Sequence, residues 1–178
     1  ISNSSPNKTG LYIVDLEKNI STMICTIDQI AKIDQSKSSK KGRHYFTHTL
    51  FSPDSKRVAF LHRWVFDDDM AKRVSRLISC NIDGSDIKVA PTTGMVSHYI
   101  WDDRNGLLAY CRINDIDGHY LFKDSNFTNP KGLAINFLNS DGHQHFIPNT
   151  DSFVTDTYPN QRRYAKLYIV NTITEEVK

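Results

Sequence analysis

Three histidines recur in register along the chain. The segments His48-Thr-Leu-Phe-Ser52-Pro53-Asp54, His98-Tyr-Ile-Trp-Asp102-Asp103-Arg104 and His143-Gln-His-Phe-Ile147-Pro148-Asn149 superpose without gaps, at spacings of 50 and 45 residues. His145 follows His143 at the alternate position, where a strand places both side chains on one face. His44 precedes His48 by four and shares its face if that strand reaches back far enough. Imidazoles brought close together are costly to protonate at once and readily share a metal ion; each taken singly is equally a polar residue satisfied by water or backbone. Two imidazoles from one strand and one from a neighbour leave coordination positions for water, carboxylate or amide, which suits Mn²⁺, Zn²⁺ or Fe²⁺. No cysteine lies near these positions, which disfavours a closed structural zinc site and favours a Lewis acid that grips a substrate oxygen.

Other polar residues belong to the same neighbourhood of the repeat. Arg63 in "LHRW" and Arg112 in "YCRI" end equivalent apolar runs, where a guanidinium either binds a substrate carboxylate in bidentate fashion or closes a rim salt bridge. Asp156 in "TDTYP" is placed to orient an imidazole or to cap a turn. The Asp67-Asp68-Asp69 run lacks the glycine and distal glutamate of a calcium loop and reads as a solvated loop.

The elements that must position these residues repeat with them. After each histidine segment comes a turn and a second apolar run: Arg57 to Arg63, Gly106 to Arg112, and Ser152 to Tyr158. A third run recurs as Leu77 to Ile82, Tyr120 to Asp124 and Leu167 to Thr172, and Leu11 to Leu16 is the same element from an earlier unit. Helical signals are confined to Thr26 to Ile33. Short antiparallel strands in tandem units of about 45 to 50 residues predict an all-β chain, a β-propeller of four-stranded blades. The expected division is a blade remnant at 1–40 and blades at 44–93, 95–138 and 141–178, roughly three and a half in all. Closed propellers use about four to eight blades. The chain therefore reads as a portion of a larger ring, partnered by missing blades or by self-association. Because the first strand of a blade lines a propeller's centre, His48, His98 and His143 are expected to converge there.

Composition narrows the classes. With 39% hydrophobic and 24% charged residues in 178, the chain can bury a core and is not disordered as a whole. A formal charge of +2, with basic residues scattered apart from Lys37 to Arg43, does not call for nucleic acid. No run approaches the roughly eighteen apolar residues of a membrane span. Cys25, Cys80 and Cys111 each sit inside an apolar run and read as buried small hydrophobes in a reducing, cytoplasmic compartment. The Asn-x-Ser/Thr matches at Asn3, Asn7, Asn19 and Asn126 read as chance in a chain rich in both residue types.

The ordered fragments "HYFTHTLFSPDSKRVAFLHRW", "MVSHYIWDD", "DGHQHF" and "TDTYPN…RRYAKLYIVN" resemble the oligogalacturonate lyase family, seven-bladed propellers with TolB-like repeats, over residues 11 to 172. The resemblance implies a Mn²⁺-assisted β-elimination on short α-1,4-linked galacturonides, acidic oligosaccharides. His98, His143 and His145 match the family's metal-binding histidines, His48 is the implied base and Arg63 a contact to the carboxylate or leaving group. Arg112 and Asp156, read from their places in the repeat and not from the resemblance, are further candidate substrate-binding positions. Ser140 stands where the family's metal site has a glutamine, which puts the metal's affinity, its identity or the substrate in doubt. The turn "IPNTD" departs from the expected "SPDG" type and reads as a one-residue insertion. The competing expectation is a non-catalytic TolB-like propeller that binds protein or glycan.

Overall fold

The computed structural model describes residues 6–33, 42–66, 69–123 and 126–178. Its architecture is all-β: four antiparallel sheets follow one another along the chain. The first pairs β1 (Gly10–Asp15) with β2 (Ile20–Thr26) and is followed by a single helical turn, α1 (Ile27–Ala31), capped by the Thr26 side chain. The second runs β3 (Arg43–Phe51), β4 (Arg57–Val65), β5 (Val74–Asn81) and β6 (Lys88–Val89). The third runs β7 (Val96–Trp101), β8 (Leu107–Ile113), β9 (Ile116–Phe122) and β10 (Lys131–Leu133). The fourth holds β11 (Gln144–Phe146), β12 (Ser152–Asp156) and β13 (Leu167–Asn171).

The repeat inferred from the histidines is written into the hydrogen bonds. Ser52, Asp102 and Ile147, four residues after their respective histidines, each donate a backbone N–H at 2.9 Å to the carbonyl that opens the next strand, on Arg57, Gly106 and Ser152. The third of these turns spans as many residues as the first, so the expected insertion in "IPNTD" is corrected: the shorter turn is the middle one, where Asp102 Oδ1 accepts from the N–H groups of both Arg104 and Gly106 and draws the loop in.

Alternation of side chains explains how the sheets stack. In β4, Val58 and Phe60 point toward the first sheet and join Cys25, Ile30, Ile78 and Cys80. Ala59 and Leu61 point the other way and join Tyr99, Trp101, Leu107, Ala109 and Cys111 of the third sheet. In β8 the odd positions face back, while Leu108 faces forward onto Leu133, Phe153 and Val170. Middle strands sandwiched in this way are apolar on both faces, which is why they read as continuous rather than alternating hydrophobic runs. Full burial of Phe60, Phe122 and Phe153 stabilises the stack by about 1.5–3 kcal/mol each. The terminal sheets lack a second neighbour and leave apolar residues in solvent: Tyr12 and Val14 at one end, Leu167 and Ile169 at the other.

The three cysteines are free and buried. Among the described residues no helix is long and apolar enough to cross a membrane. Asp69 caps a one-turn 3-10 helix, Met70–Lys72, whereas Asp67, Asp68, Asp124 and most of the basic Lys37 to Arg43 run lie outside the described residues.

Candidate functional site

Strand β7 lies against both β3 and β11, the first strands of their sheets, and His48, His98 and His143, on or just before these strands, meet. The His48 and His98 rings lie 5.5 Å apart between centroids and the His98 and His143 rings 4.5 Å apart, with Tyr158 at 6.4 Å from His98 and 5.7 Å from His143. Three sheets thus contribute to one site.

Irregular backbone aims each ring. The β3/β4 ladder slips between Thr47 and Leu50, and His48 takes a left-handed φ of 57°. The β7/β8 ladder slips between Val96 and Tyr99, around His98. Bulges of this kind re-aim side chains and release carbonyls from the ladder. The released groups are taken up across the sheets: the Tyr99 hydroxyl donates to the His48 carbonyl, and Arg63 donates to the carbonyls of Val96 and Ser97 at 3.4 and 3.3 Å. His143 stands just before the β11 ladder begins at Gln144, and its N–H donates instead to Asp156 Oδ1 at 2.6 Å. Gly142 makes that approach possible, because a Cβ there would fall 1.9 Å from the Asp156 carbonyl oxygen.

Two carboxylates hold two of the rings. The Ser97 hydroxyl donates to Asp141 Oδ2 at 2.5 Å and so accepts from His98 Nδ1 at 3.0 Å, with Asp141 Oδ1 itself 3.4 Å from that nitrogen. His143 Nδ1 lies 3.1 Å from both oxygens of Asp156. In the neutral ring the proton is therefore drawn to Nδ1 in both cases, and the Nε2 lone pair is left for another partner. Burial alone would raise the Asp141 carboxyl, but bonds from His98, Ser97 and the Gly142 N–H outweigh it and hold the group below the usual carboxylate range. Asp156 is lowered likewise, the bonds from His143 outweighing its desolvation. His48 is pushed the other way from a charged state: burial, then the positive field of Arg63, His98 and Arg73, lowers its pKa and favours the neutral imidazole.

Of the residues expected from the sequence, His48, Arg63, His98, His143 and Asp156 come together. Arg63 is buried with its fork turned onto β7 carbonyls, so it acts on His48 through charge. Asp156 orients His143, one of the two roles its sequence position allowed. His145 lies on the exposed face of β11 opposite Val154 and makes no side-chain bond or ring contact among the described residues. Burial alternates over His143, Gln144 and His145, exposed, buried and exposed, but only His143 makes ring contacts with other residues of the site. Arg112 is held by Asp117 in its own hairpin at 2.6 and 2.9 Å. His44 is buried in a separate stack with His62. Gln144 faces inward and donates to His119 Nε2 at 3.0 Å.

Sequence reasoning missed Asp141, Ser97 and Tyr158 as partners of the rings. Asp141 had a signal, since it precedes His143 by two in "SDGHQHF". Among the described residues no three His, Cys, Asp or Glu side chains stand together as a ready metal-binding set. What does fit a metal is the donor chemistry of His98 and His143, each backed by a carboxylate at Nδ1 in the manner of metal-ligating imidazoles. No known protein family and no curated protein matches the sequence.

Proposed function

We propose that the four sheets are successive blades of a β-propeller and that the histidine site at their first strands carries out metal-assisted β-elimination on short uronate oligosaccharides. The observation that carries this reading is the pairing of two carboxylate-backed imidazoles, from neighbouring sheets, with a third histidine kept neutral beside them. His98 and His143 would hold a divalent ion such as Mn²⁺ through Nε2. The ion, when bound, would neutralise the uronate carboxylate and acidify the neighbouring C5–H. His48, neutral near pH 7, accepts the C5 proton; the released electron pair forms the C4=C5 bond as the C4–O bond breaks, and the leaving oxygen takes a proton from solvent. Arg63 keeps His48 in its basic form. Asp141 and Asp156 hold their imidazoles in the tautomer that presents Nε2.

The test is the ultraviolet absorbance of a 4,5-unsaturated uronate when the protein is mixed with oligogalacturonide and Mn²⁺. His48→Ala should abolish turnover while retaining metal, and Asp141→Asn should weaken metal affinity by about 10–100-fold. Full metal loading with no absorbance change, across several uronates, would refute the lyase reading. A second reading, a non-catalytic TolB-like propeller that binds protein or glycan, is favoured by Ser140 at the family's glutamine position and by the absence, among the described residues, of any ring contact from His145 to the other histidines. Saturable oligosaccharide binding without turnover would select it.

A further inference from the structure

A cleft of about 290 Å³ opens between the β12 to β13 connection and the segment that leads to Asp141. That volume is close to the roughly 300 Å³ lower bound of small-molecule sites. Asp156 and Tyr158 line it, so it shares two residues with the histidine site: the same carboxylate holds His143 and the same ring lies beside His98. Its other walls include Tyr164, Tyr168 and Lys166. Tyr168 is fixed by an edge contact to Phe137 at 5.5 Å, while Tyr158 and Tyr164 are 54% and 68% exposed.

The cleft wall carries one cation, Lys166, and one carboxylate, Asp156, which is engaged by His143. The connection over residues 157–166 adds Arg162 and Arg163 beside the cleft and holds no acidic residue. Among the described residues none of these three cations makes an ion pair, and Lys166 Nζ stands over the Tyr168 ring, 5.9 Å from its centroid. The backbone of the connection is nevertheless built: Asn160 Oδ1 accepts from the N–H groups of Arg162 and Tyr164, and Thr157 Oγ1 accepts from the Lys166 N–H. The Asn160 side-chain NH₂ stays available.

We infer that this cleft is a subsite for one carboxylate-bearing sugar ring, next in line to the ring held at the histidines. The tyrosine faces match the apolar face of a pyranose, Lys166 matches its carboxylate, and Asn160 and Asp156 match its hydroxyls. This inference rests on the uronate reading of the histidine site for the identity of the sugar. An anion without a ring would use Lys166 and leave the tyrosines idle.

The experiment is calorimetric binding of di- and trigalacturonate, of the corresponding neutral galactose oligomers and of inorganic phosphate, with Mn²⁺ present. Expected are a gain in affinity from the dimer to the trimer, a loss of about tenfold for the trimer in Lys166→Met, and a loss of about threefold to tenfold in Tyr164→Ala. Neutral oligomers should bind equally to wild type and Lys166→Met. Unchanged trigalacturonate affinity in both variants, or phosphate binding that Lys166→Met abolishes while no sugar binds, would overturn the subsite. Both side chains are exposed, so unfolding is not expected; circular dichroism of each variant checks this. Because binding is read without turnover, an absent elimination product leaves the subsite standing, whereas elimination with unaltered chain-length preference in Lys166→Met removes it alone.

Discussion

The molecule holds two histidine groups built on opposite principles. His48, His98 and His143 come from three sheets, are aimed by bulges, and are steadied by carboxylates at their Nδ1 atoms or by a neighbouring cation's field. His44 and His62 come from one sheet and stack at 5.0 Å with their planes 15° apart, against Trp64. Arg76 Nε donates to His62 Nδ1 at 2.9 Å, so neutral His62 carries its proton on Nε2 and donates it to His44 Nδ1 at 2.8 Å. Arg76 also donates to the Ile30 carbonyl at 2.7 Å and thereby ties α1 to the second sheet. A carboxylate behind an imidazole makes it a better ligand; an arginine in front of one uses up its lone pair and keeps it neutral. Burial then pushes His62 down to about 2, helped by Arg76 and His44.

The comparison breaks most readily at Arg76. Arg76→Met leaves His62 Nδ1 buried without a donor, removes one of the donors to the Ile30 carbonyl, which keeps the Ile33 N–H at 3.2 Å, and should destabilise the fold by about 1–3 kcal/mol. Asp156→Asn, at a partly exposed carboxylate, should cost no more than about 1 kcal/mol. Urea unfolding of both variants checks the contrast, and equal losses would deny the division between a structural and a ligand-facing group.

Acid sharpens the same division. A histidine whose folded pKa is lowered contributes stability that is complete above its unfolded value of 6.5 and is lost as pH falls toward the folded value of about 2. His62 should therefore cost up to about 1.4 kcal/mol per pH unit below 6.5. His119, pushed to about 4 by burial, adds to the slope over the upper part of that window. His62→Gln keeps an acceptor for Arg76 and a donor for His44 but does not titrate. Its urea midpoint should fall less steeply between neutral pH and about pH 5 than that of the wild type; a parallel fall would mean that His62 is not the acid-sensitive group.

Much of the strand plan was legible because the repeat carries its own check. Ser52, Asp102 and Ile147 hold equivalent bonds, and the apolar runs at Arg57, Leu107 and Ser152 become middle strands. Convergence of His48, His98 and His143 followed from the same register. Their partners were harder to see. Side-chain direction at a bulge does not obey alternation, so the grip of Ser97 and Asp141 on His98 does not follow from a period of two. Arg112 takes the salt-bridge role of the two its position allowed: Asp117, five residues on, is brought opposite it by a tight hairpin, a local pairing that takes up the guanidinium.

The smallest expected effect separates geometry from resemblance. The resemblance to oligogalacturonate lyases would make His145 a metal ligand; its ring lies on the exposed face of β11, with Gln144 turned inward against His119. His145→Ala should leave Mn²⁺ affinity within about twofold of wild type, while His143→Ala and His98→Ala lose about tenfold or more. Metal titration of the three variants is the measurement. If His145→Ala falls with the others, then β11 must turn its outer face toward β7 when the ion binds, and Gln144 must leave His119 to let it. That movement would unpair a buried amide and a buried imidazole, and His119→Phe, which removes the partner in advance, would then strengthen metal binding instead of leaving it unchanged.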